Sequence, residues 1–82
     1  MGAPVAVYRP TPGDDSGAVF IDKFIDWEGS PFAYSDDGTL FRMLSSNGDN
    51  SAYKLEPESG SKYASILFNG ASITEADAVA LL

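Results

Sequence analysis

The side chains able to do chemistry in this chain are twelve carboxylates, three lysines, two arginines and the hydroxyls, with no cysteine and no histidine among 82 residues. That removes thiolate nucleophiles, histidine-centred triads, haem attachment and the usual zinc sites together. Carboxylates alone can still ligate a hard cation or serve as a paired general acid and base. Their excess gives a net charge of −7, which opposes a phosphate backbone and an anionic membrane, so neither nucleic acid nor membrane is expected as a partner. The acids are spread along the chain, mostly at turns and helix starts, with no acidic tail. Such a charge serves solubility first and contact with a basic partner second.

The cation-binding pattern is echoed by Asn47-Gly48-Asp49-Asn50-Ser51 with Glu58 at the twelfth place, in the manner of an EF-hand loop. The sixth place, which demands glycine for a sharp turn, holds Ala52, and the first holds Asn rather than Asp. A polar hairpin loop accounts for the stretch. Asp36-Asp37 reads as a turn pair, because two adjacent carboxylates cannot hold a hard cation without further oxygen ligands. No metal and no cofactor is expected.

The acid-pair pattern carries a family resemblance. Trp27-Glu28-Gly29-Ser30-Pro31-Phe32-Ala33-Tyr34-Ser35-Asp36-Asp37-Gly38 is similar to phage-type lysozymes, whose pattern is Glu-Gly, a short stretch, then Ala-Tyr-x-Asp and Gly. Ile73-Thr74-Glu75-Ala76-Asp77 is similar to the helix start that often follows in that family. The resemblance implies Glu28 and Asp36 as the two carboxylates of a glycosidase. It departs from the family at Thr39-Leu40-Phe41-Arg42-Met43-Leu44, where the Thr-Ile-Gly-x-Gly-His stretch should stand, so the catalytic Thr and its glycines have no counterpart. A second, helical lobe to build the sugar cleft also has no room, and the expectation is a chain that is not an enzyme.

A chain of 82 residues, 44% hydrophobic and with ten aromatic side chains, supports one small core and no second domain. Most of Tyr8, Trp27, Phe32, Tyr34, Phe41, Tyr53, Tyr63 and Phe68 are needed inside it, which argues against a stacking platform for sugars or bases. Residues 1–17, with Pro4, Pro10, Pro12 and three glycines, read as an extended N-terminal arm, within which Val5 and Val7 alternate with Ala6 and Tyr8 as a short edge strand. Residues 18–82 read as the single β-rich domain.

In residues 18–28 two periods compete. A helix would align Phe20, Ile21, Phe24 and Ile25, and a strand would align Val19, Ile21, Ile25 and Trp27. The helix would place Asp26 and Glu28 at the negative end of its dipole, which favours the strand. Phe32-Ala33-Tyr34 and the run from Thr39 to Leu44 flank Ser35-Asp36-Asp37-Gly38, a loop closed by a glycine free to take positive φ. Further strands are expected at Tyr53-Lys54-Leu55 and at Tyr63-Ala64-Ser65-Ile66-Leu67-Phe68. Thr74 is a good N-cap with Asp77 three residues on, so a short helix follows, Ile73 stapling against Ala78.

The expected fold is therefore α+β and mostly β, a small antiparallel meander or open barrel with a short C-terminal helix and an extended N-terminal arm. The expected function is that of a small structural or protein-interaction module, such as a virion accessory or decoration protein, with a protein partner or a homo-oligomeric assembly and a cytoplasmic or virion-associated location. The alternative is an acidic inhibitor of a basic nucleic-acid-binding protein, and a lysozyme-related fragment comes last. The candidate partner contacts are at the two ends: Val5, Val7 and Tyr8 in the arm, and Val79, Leu81 and Leu82, which close the chain without a basic residue.

Overall fold

The computed structural model describes residues 5–9, 16–46, 53–58 and 60–82. In chain order the elements are strands β1 (Ala6–Tyr8), β2 (Val19–Trp27), β3 (Ser30–Ser35), β4 (Leu40–Ser46) and β5 (Tyr53–Pro57), helix α1 (Lys62–Asn69), strand β6 (Ala71–Ile73) and helix α2 (Glu75–Ala80). The strands make one antiparallel sheet in the order β1-β2-β3-β4-β5, and β6 adds to β2 on the edge that β1 also uses. The sheet curls into an open half-barrel, so the α+β, mostly β architecture with its C-terminal helix is the one expected.

Each face of this sheet has its own apolar cluster and its own helix. Side chains alternate across a strand, so Ile21 and Phe24 of β2, Ala33 of β3 and Met43 of β4 point to one face, where Ala78 of α2 covers them. Ala6, Tyr8, Val19, Leu55 and Ile73 complete that cluster, which draws on strands from β1 to β5 and therefore fills the inside of the curl. Ile25, Phe32 and Leu40 point to the other face, under Ile66 of α1. The chain passes from the outer helix to the inner one along β6, at the margin of the sheet.

Within residues 18–28, Val19–Trp27 is strand, as the dipole argument favours. Residues 63–68 are not: they lie in α1, against the expected strand. Tyr63, Ile66 and Leu67 recur at helical spacing and pack together on Ile25, Phe32 and Leu40. As a strand the segment would have carried apolar groups on both faces, with only one face of the sheet left to take them. Within residues 1–17, Ala6–Tyr8 pairs with β2 as an edge strand, and Tyr8 packs against the inner cluster. The calcium-loop-like residues 47–52 lie outside the described residues.

Candidate functional site

Residue by residue, alternation decides what the two chain ends offer. Val7 stands opposite Phe20, and cross-strand partners share a face, so both point away from the inner cluster that takes Ala6 and Tyr8. Val5 follows Val7 on that outer face, held by a hydrogen bond from its backbone N–H to the Ile21 carbonyl at 2.9 Å. Val5 is 57% exposed and Phe20 45% exposed. Neither belongs to the cluster under α1. The outer corner of β1 and β2 thus carries an apolar strip of exposed Val5 and Phe20 with half-buried Val7 beside them. Of the six residues expected at a partner surface, Tyr8 and Val79 pack against the inner core, Val5 and Val7 face outward, and Leu81 and Leu82 stand exposed beyond α2. The structure does not join the last two to the β1 strip. Phe20 was the missing member, masked in the sequence by its place in a run that reads as core.

A cleft of about 440 Å³ adjoins the strip. Its lining includes Val5, Asp22, Phe24, Ile73, Thr74 and Glu75. It opens where the pairing of β2 with β3 slips between Ile21 and Lys23, a β-bulge that pushes Asp22 out of the ladder.

The carboxylates that suggested catalysis are placed elsewhere. Glu28 lies in the turn before β3 and Asp36 in the turn after it, at opposite ends of a six-residue strand. At roughly 3.3 Å per residue that strand holds them some 17 Å or more apart, where a glycosidase pair needs about 5–10 Å. Asp37 is occupied in its turn: its carboxylate accepts from the Ser35 hydroxyl and from the Thr39 backbone N–H at 3.1 Å. The Ser35 hydroxyl first, and then Thr39, hold the Asp37 carboxyl below its ordinary 3.8. The same turn anchors α1, because the Tyr63 hydroxyl donates to the Gly38 carbonyl at 2.7 Å. The neighbouring Tyr34 hydroxyl, followed by desolvation, raises the Tyr63 phenol above 10.0. Among the described residues no three Asp or Glu gather closely enough to hold a metal ion. No helix among them is long and apolar enough to cross a membrane.

Comparison of the chain with protein-family models, with curated proteins and with solved structures yields no match in any of the three, so the lysozyme-like residues stand without a family match behind them.

Proposed function

We propose that this domain is a non-enzymatic interaction module that docks on a larger protein assembly, such as a virion, through the outer corner of β1 and β2. The observation that carries this reading is the strip of Val5, Val7 and Phe20. It is contiguous, apolar and beside a cleft, whereas α1 and α2 cover the neighbouring parts of both sheet faces. Apolar side chains grouped in this way on a small, highly charged domain gain most from a partner that removes them from water.

The test places a photo-crosslinking aromatic residue at Phe20 and, as a control, at Glu56 on the far strand β5, followed by irradiation in an extract of the source cells. A discrete protein adduct at position 20 that is absent at position 56 is the expected result. An adduct with a second copy of this chain makes the assembly homo-oligomeric. No adduct at position 20, or the same adducts at both positions, overturns the proposal.

A further inference from the structure

Helix α1 ends on Asn69, which is exposed, and Gly70 follows it. That pair carries a reaction of its own. The Asn69 side chain ends in an electrophilic amide carbon, Cγ, and the next backbone nitrogen belongs to a residue with no Cβ to shield it. When the two meet, the Gly70 nitrogen bonds to Asn69 Cγ and the bond from Cγ to Nδ2 breaks. Nδ2 leaves as ammonia, carrying the proton that the Gly70 nitrogen gave up, and a cyclic succinimide remains. Water then opens the ring. Cleavage at the side-chain carbonyl leaves aspartate. Cleavage at the main-chain carbonyl leaves isoaspartate, in which the backbone runs through the side chain and is longer by one atom.

The fold holds the two reacting groups apart. Asn69 has the helical backbone of α1, and the Gly70 N–H donates to the Ile66 carbonyl at 2.9 Å, so the nitrogen is engaged on the helix side. Turning it onto Cγ requires the last turn of α1 to open. That turn has slender support, because α1 is 8 residues long, with no side-chain cap and no basic residue in its last turn. Its hold on the rest of the molecule comes from Ile66, Tyr63 and Leu67 against the sheet and from the Tyr63 hydroxyl on the Gly38 carbonyl, 2.7 Å away. We propose that Asn69 is a spontaneous deamidation site gated by α1 and independent of the docking corner, closed while the helix lies on the sheet and converted to aspartate and isoaspartate when it lifts. The conversion is one-way in structure as well as in chemistry. Even an added Cβ at Gly70 would collide with the Ile25 Cγ2 methyl group and lie 2.6 Å from the Ile66 carbonyl oxygen, so a longer backbone one residue earlier does not restore the turn. The isoaspartyl chain loses the register of β6 on Phe24, Ile25 and Asp26.

The test incubates the full chain in mildly alkaline buffer, folded and unfolded in guanidinium. Position 69 is followed by peptide mapping with mass spectrometry, which separates it from the second Asn-Gly pair at Asn47. In the unfolded chain Asn69 should convert to a mixture of aspartate and isoaspartate, and in the folded chain it should do so roughly tenfold or more slowly, as expected where reaction waits on a local opening. Tyr63→Phe removes the hydroxyl that ties α1 to Gly38 and leaves the Asn-Gly pair untouched; it should speed the folded-state conversion by roughly three- to tenfold. Equal rates in the folded and unfolded chains, or a Tyr63→Phe rate equal to that of the wild type, overturn the gate. An unfolded chain that keeps its Asn69 amide overturns the site. Asn69→Asp supplies the product's charge without the longer backbone. It should keep a Tm close to that of the wild type while the purified isoaspartyl protein melts lower, and equal Tm values for the two overturn the one-way step.

Discussion

Glu28 is the residue whose conformation is least suited to its type. The two-residue turn between β2 and β3 holds Glu28 at φ 55 and Gly29 at φ 81, the mirror-image turn that matches strand twist and favours Asn or Gly at its first place. A glutamate has no local hydrogen bond to offset the left-handed backbone, which costs a side chain of its kind about 1 kcal/mol. Glu28→Asn should therefore raise Tm by roughly 4 °C, measured by thermal denaturation. At the other end of β3, Asp37 works in the opposite sense. Its folded pKa lies below the ordinary 3.8, so its contribution is complete above that value and is lost as pH falls through the lowered one. Tm measured against pH should fall on the acid side in the wild-type protein and less steeply in Asp37→Asn, whose side chain does not titrate.

Among the elements, the two helices are held by different means. The N-cap of α2 is Thr74, whose hydroxyl accepts from the Asp77 backbone N–H at 3.1 Å, and the helix buries Ala78 in the cluster that Ile73 also borders. Both the cap and the staple follow from the residue types. Thr74→Ala should cost about 1 kcal/mol, read from the urea unfolding midpoint. α1 has no side-chain cap, no acid in its first turn and no base in its last. It depends on docking, and Gly70 sets how closely it docks. A Cβ at Gly70 would collide with the Ile25 Cγ2 methyl group and lie 2.6 Å from the Ile66 carbonyl oxygen, where the chain turns from α1 into β6. Gly70→Ala should destabilise the fold by about 1–3 kcal/mol in the same measurement, because backbone on one side and buried Ile25 on the other leave no slack.

For the whole molecule, the two ends that look alike in sequence behave differently. β1 contributes Ala6 and Tyr8 to the inner cluster, so deleting residues 1–9 should lower Tm substantially as well as remove the docking strip. Leu81 and Leu82 are 38% and 43% exposed and lie in neither core cluster. Replacing both with serine should leave Tm nearly unchanged in a calorimetric scan, and a large fall would place them in the core instead.

The local rules of the chain determined strands β1 to β5, the β3–β4 hairpin and the capped start of α2, because alternation, a positive-φ glycine and a Thr cap act within a few residues. They also removed cysteine and histidine chemistry outright. Tertiary structure decided three things. Residues 63–68 became helix because a sheet face needed covering, and Tyr63, Ile66 and Leu67 serve that need at helical spacing. Glu28 and Asp36, close in sequence, were held apart by the strand between them, since an extended chain separates what a turn would join. Finally, the strip and the cleft arose only when β1 and β6, far apart in the chain, met on one edge of β2 and left Asp22 between them, a juxtaposition that no local pattern encodes.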